Sequence, residues 1–174
     1  MRVIAVLLGP LLIVPAAAQV HQRPAPESQS GGPKALGQFD DWIAATYREG
    51  GHTICYAFVP AKNSVPALPK RGEVVLTVTQ RPAGRDWVAI SAGFTYPKGA
   101  AVTLQVDTTG LDFYSASTSA FARDGKATVA ALQKGGQALA RSPGPHEGQV
   151  VVDTFSLRGF SAAYAAINKA CPAR

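Results

Sequence analysis

Two cysteines occur in the chain, Cys55 and Cys171, and the second closes a run with a helical pattern. In TFSLRGFSAAYAAINKAC, from Thr154 to Cys171, the residues Phe160, Tyr164, Ile167 and Cys171 recur at i, i+4, i+7 and i+11, one stripe of an α-helix. Ala162, Ala163, Ala165, Ala166 and Ala170 add helix propensity with little bulk, so this helix can lie close to a sheet. Pro172 stops it. The spacing predicts Cys171 on the buried face of the last turn. A bond to Cys55 would fasten the final helix to an early segment and enclose nearly everything between them in one loop.

The start of the chain says where such a bond could form. MRVIAVLLGPLLIVPAAAQ carries Arg2, an apolar run from Val3 to Val14, and Ala16 and Ala18 at the −3 and −1 positions of a cut after Ala18. That is the layout of a secretory signal peptide, residues 1–18. The run is shorter than the roughly 20 residues of a spanning helix, and Gly9-Pro10 interrupts it. No cysteine near the cut could take a lipid, and no later apolar run could span a bilayer. In an oxidising exported compartment, two cysteines read as a disulfide rather than as a metal site. Loss of Arg2 with the leader takes the net charge from +6 to +5. A mildly basic exported protein suits anionic lipopolysaccharide, membrane surfaces or acidic glycans, although a charge of this size also serves solubility alone.

Residues 19–37 (QVHQRPAPESQSGGPKALG) are rich in Pro, Gly, Ser and Gln and read as a disordered spacer containing His21. One domain is expected over 38–174. Phe39 to Tyr47 and His52 to Val59 read as a hairpin around Glu49-Gly50-Gly51, with Cys55 mid-strand. Pro60 to Gly72 holds three prolines and reads as a loop. Strands are expected at Glu73–Gln80, Trp87–Tyr96, Ala101–Asp107, Leu111–Ser115 and Thr118–Ala122. Asp124 should cap a helix over Gly125–Lys134, closed by Gly135-Gly136. A short strand at Gln137–Arg141 and a last one at Gln149–Phe155 flank the loop Ser142–Gly148. The fold class is mainly β (α+β): an antiparallel β-sandwich or open barrel with a short helix and a C-terminal helix packed on it.

The search for chemistry yields little. His21, His52 and His146 are scattered, and no G-x-S-x-G elbow, H-E-x-x-H or paired-cysteine spacing is present. Gly50-Gly51 and Gly135-Gly136 do not open helices as a phosphate loop must. Asp40-Asp41, if on a strand, would point to opposite faces and read as a solvated strand start. No catalytic residue, cofactor or metal is assigned. The aromatic residues Trp42, Trp87, Phe94, Tyr96, Phe113 and Tyr114 suit a core better than a base-stacking surface, and no nucleic-acid partner is expected.

FDDW, ICYAFVP and the FSLRGFSAAYAAINKAC ending, together with the leader, resemble the invasion-associated locus B (IalB) family of exported Gram-negative bacterial proteins. The resemblance runs from about Phe39 to Cys171. One departure is Phe121, where the family often carries Trp beside the alanine; phenylalanine fills a similar volume. The resemblance implies a β-rich periplasmic, surface-bound or secreted domain and a family name drawn from entry into host cells. It implies no catalytic residues, and only Cys55 and Cys171 carry over, with a structural role. The reading that follows is a non-enzymatic exported envelope or interaction protein with an unknown protein or anionic envelope component as partner. The alternatives are a periplasmic hydrolase using His52 or His146, and a glycan- or peptidoglycan-binding module using Trp42 or Trp87. For partner contact, Lys62, Lys70 and Arg71 on the stiff loop Pro60–Gly72 are the candidates, against the simpler expectation that the loop is a solvated connector.

Overall fold

The computed structural model describes residues 32–173. The leader, its cut and His21 lie outside the described residues. The elements are β1 (Lys34–Phe39), β2 (Trp42–Glu49), β3 (His52–Pro60), β4 (Asn63–Val65), β5 (Val75–Arg81), β6 (Gly84–Ser91), β7 (Ala101–Val106), β8 (Thr109–Ala116), β9 (Ser119–Ala122), α1 (Gly125–Leu132), β10 (Gln137–Pro143), β11 (Val150–Ser156) and α2 (Phe160–Ala170).

All eleven strands form one antiparallel sheet in the order β1-β2-β3-β5-β6-β9-β8-β7-β10-β11-β4, an open sheet with β1 and β4 at its edges. Its curvature follows from connectivity. Eight inter-strand steps separate β3 from β4 in that order, about 38 Å if the sheet were flat. Only Ala61 and Lys62 join the two strands, so the sheet must curl until its far edge returns beside β3. The Lys62 amide donates to the Thr154 carbonyl at 2.8 Å, and the Trp42 indole donates to the Ser156 carbonyl at 2.9 Å. Of the two expected architectures, the molecule adopts the open, barrel-like one.

Inward residues alternate as a half-buried sheet requires. Leu76, Val78, Ile90, Leu104 and Phe113 are buried in a single cluster that also takes in Phe160, Ala163 and Ile167 of α2 and Val129 and Leu132 of α1. α2 therefore covers the concave side of β1, β2 and β3, and Asp124 caps α1 by accepting from the Ala127 amide at 2.9 Å. The cysteines are bonded, with Cα atoms 6.0 Å apart. Cys55 is buried as expected, but Cys171 is only half-buried, because it is the residue that ends α2 rather than one of its inward turns.

Four expectations need correction. The chain is already a strand at Lys34, inside the segment read as spacer, since pairing with β2 supplies what composition does not. Asp40-Asp41 is a turn, so Phe39–Tyr47 is two strands. The loop Pro60–Gly72 contains β4, which finds a place between prolines because it pairs only at the sheet's edge, with β11. Finally, β6 ends at Ser91 and not at Tyr96. Gly93 adopts a left-handed φ of 71°, and a Cβ there would collide with the Gly72 carbonyl, so the crossing of these two backbones ends the strand.

Candidate functional site: an aromatic groove on the convex face

The two tryptophans have opposite fates. Trp42 is fully buried, its ring centroid 4.7 Å from that of Phe160. Trp87 is 51% exposed. A β-bulge decides this. Arg81 pairs with Gly84, but Thr79 pairs with Trp87, so β6 spends one extra residue, Arg85-Asp86 against Gln80. Were the pairing regular from Gly84 onward, Trp87 would face Val78 and point into the core; with the bulge it joins Thr79 on the convex face. Asp86 holds the bulge with φ 56°. The fully buried Gln80 side chain grips it from both sides, accepting from the Asp86 amide at 2.9 Å and donating to the Asp86 carboxylate at 2.8 Å. The Trp87 indole then folds back over Gly84, where any Cβ would collide with its Nε1, so the ring lies along the sheet.

Phe121 on β9 pairs with Ala89 on one side and Tyr114 on the other, and continues the surface. The Tyr114 and Phe121 rings are 5.6 Å apart, and Tyr114 is 43% exposed. The Arg123 guanidinium lies 5.8 Å from the Tyr114 ring centroid. Together with Arg85 and Asp86 these residues line a shallow groove of about 380 Å³. Phe121, expected as a packing variant, is half-buried and lies against the exposed Tyr114.

A second depression, about 640 Å³, surrounds the disulfide and includes His52, Arg81 and Arg85. Arg81 is already bound by Glu49 and by the Tyr47 hydroxyl. Thr53 is the one hydroxyl in its lining, and as the strand neighbour of His52 it points to the opposite face. His146 lies in the separate β10–β11 turn, so the two histidines are not brought together.

The loop candidates divide three ways. Arg71 is withdrawn from the surface: its side chain is 6% exposed and forms a two-pronged pair with Asp153 at 2.7 and 2.8 Å, a third bond to the Ala92 carbonyl at 2.7 Å, and a contact over the Phe94 ring. Lys62 is paired with Asp41 at 3.0 Å, while Lys70 is exposed. Asp41 is accordingly not a bare solvated strand start. The Ser156 hydroxyl, which donates to it at 2.6 Å, and then Lys62 hold its carboxyl below the usual range. Near the Arg71 pair, burial and then the Asp153 charge push the Tyr96 hydroxyl up to about 12. Among the described residues no group of three or more His, Cys, Asp or Glu converges to hold a metal, and no helix is long and apolar enough to cross a membrane.

A curled antiparallel sheet clasped by one disulfide, with two helices packed on it and an aromatic groove on its outer face, defines a class of small β-rich domain. The model of the invasion associated locus B (IalB) protein family matches residues 42–168, and the chain belongs to that family. The crystal structure of invasion associated protein B from Bartonella henselae has the same fold, with a TM-score of 0.59 and 18% identity over 77% of this chain and 95% of that one. No curated protein sequence matches the chain.

Proposed function

We propose that the protein acts outside the cytoplasm as a non-enzymatic interaction protein of the bacterial envelope, and that it meets its partner through the Trp87–Phe121–Tyr114 face. The observation that carries this is the exposed indole. Half of a tryptophan left in water forgoes on the order of 2.5 kcal/mol of burial. Here a bulge, a left-handed aspartate and a dedicated buried glutamine keep it outside. Exposed aromatic clusters of this kind are the usual anchors of interfaces. The Ala-x-Ala leader and the Cys55–Cys171 bond support export. The Bartonella protein's name supports a link to invasion, as one setting in which such a partner would be met.

Of the two alternatives, glycan binding gains from Trp87 lying along the surface, whereas the hydrolase loses from histidines on different elements, His52 opening β3 and His146 between β10 and β11. The test is capture from envelope extract with the mature domain, its Trp87→Ala/Tyr114→Ala variant and its His52→Ala/His146→Ala variant, each checked for an intact disulfide and an unchanged unfolding midpoint. The aromatic variant should lose the captured component and the histidine variant should keep it. Equal capture by the aromatic variant refutes the face. Loss confined to the histidine variant favours the hydrolase.

A further inference from the structure

The groove beside Trp87 is charged as well as aromatic. Arg85 and Arg123 both line it, and among the described residues neither is paired with a carboxylate. Arg85 donates to neutral acceptors, the Cys171 carbonyl at 2.8 Å and the Asn168 side chain. Arg123 has only the Tyr114 ring beneath it and is exposed. Asp86, the one carboxylate of the groove, turns Oδ1 away to accept from Gln80 and, at 2.7 Å, from the Tyr164 hydroxyl of α2. The groove therefore offers aromatic faces with two arginines in its lining, and a net charge of about +1 from these three groups.

We propose that this groove binds an acidic saccharide, an oligomer of carboxylate-bearing sugars, which rests on the reading of this face as the interaction surface. Sugar ring hydrogens carry partial positive charge and fit the negative face of an aromatic ring, so pyranoses stack on Trp87 and Tyr114. The planar fork of Arg123 matches a carboxylate two-pronged, and Arg85, in the same lining, adds a second positive charge. The small net charge suits singly charged carboxylates spaced along a chain better than phosphate, which brings about −1.5 to −2. The stacking surface is also long. Tyr56, Thr79 and Trp87 share one cross-strand row, and from β3 through β5, β6 and β9 to β8 the surface spans about 19 Å. That length fits an oligomer rather than a single sugar.

The experiment titrates the mature, disulfide-bonded domain and its variants with hexagalacturonic acid by isothermal calorimetry, and follows tryptophan fluorescence in those that keep Trp87. Trp42 is buried, so a change reports Trp87. Saturable binding is expected, weakened at least about tenfold by methyl-esterifying the carboxylates, by Arg123→Gln and by Trp87→Ala. Arg123→Gln should also flatten the salt dependence between 50 and 300 mM, about, as a screened charge contact requires. Polyglutamate of equal charge should bind at least about tenfold more weakly, since it has no faces to stack. No saturable binding, equal binding of the ester, equal binding of polyglutamate, or indifference to Trp87→Ala each overturns the proposal. If hexagalacturonate fails while the aromatic double variant still loses envelope capture, the saccharide is wrong and the interaction face stands. If capture also survives that variant, both fall.

Discussion

Replacing Arg71 by Ala should cost 3–5 kcal/mol, roughly, because it leaves the Asp153 carboxylate buried without its counter-charge. The structure sets the size of the effect. Both side chains are nearly inaccessible, at 6% and 3%, and both prongs of the pair are made at good distances. The Ser64 hydroxyl, which donates to Asp153 at 2.7 Å, would be the main partner left. One hydrogen bond of about 1.5–3 kcal/mol to a charged group does not replace a guanidinium. Against a total stability of 5–15 kcal/mol, typically, the loss would be visible as a large fall in urea midpoint with an unchanged slope. The double change Arg71→Met/Asp153→Leu should recover most of it, since an apolar pair of similar volume needs no desolvated charge. A single-variant loss below about 1 kcal/mol would refute the reasoning, for it would mean that the pair is wet enough to behave as a surface bridge. So would a double variant as unstable as the sum of both singles, which would deny the coupling.

Two further predictions concern the ends of the core. Replacing Cys55 and Cys171 by Ala opens a loop with a sequence separation of 116, for which the chain-entropy relation gives about 4.8 kcal/mol. A loss of roughly 2–5 kcal/mol in urea unfolding is expected, and none at all would show that Arg85 and the stripe of α2 hold the helix without the bond. Tyr96, with its hydroxyl raised to about 12 from 10, contributes stability that is complete below pH 10 and is lost as pH rises through the folded value. Wild type should therefore lose on the order of 2–3 kcal/mol more than Tyr96→Phe between pH 9.5 and 12, about, and parallel profiles for the two proteins would contradict the burial argument.

What the sequence made legible was whatever one element determines by itself. The stripe of α2, the Asp124 cap and the alternation along β5 are short-range patterns, and they predict the right elements within a few residues. What it hid was decided by partners far along the chain. Arg71 looks like a surface charge because nothing near it in sequence is acidic except Glu73; its true partner is 82 residues away. β4 is three residues between prolines and exists only because β11 lies beside it. Phe94 and Tyr96 have strand composition, yet the crossing at Gly72 and Gly93 takes them out of the sheet. The candidate groove was half visible. Trp87 stood out as a residue type, but Phe121 and Arg123 had no signal apart from lying one and three places beyond Ala120, the inward residue of β9. Period-two alternation places residues on two faces without saying which face a strand resumes after a bulge.

That bulge is where fold and function meet in this chain. On the inward side of β5 and β6 the large side chains serve the core: Leu76, Val78 and Ile90 are all buried. Regular pairing carried on from Arg81 and Gly84 would set Trp87 opposite Val78 and turn it inward, and would turn Val88 and Ile90, both buried in the core, outward. The bulge thus keeps Val88 and Ile90 in the core while Trp87 faces out. Core packing, however, is indifferent to the size of an outward residue at position 87, and a small one would serve it. The chain instead keeps the largest side chain, turns it outward over Gly84, and ties the bulge to α2 through Asp86 and Tyr164 and to the disulfide's neighbourhood through Arg85 and the Cys171 carbonyl. The disulfide and the helix thereby brace the strand that presents the aromatic face. A surface anchored this way loses little conformational freedom when a ligand settles on it, which is the property a binding site needs and a solvated sheet face does not.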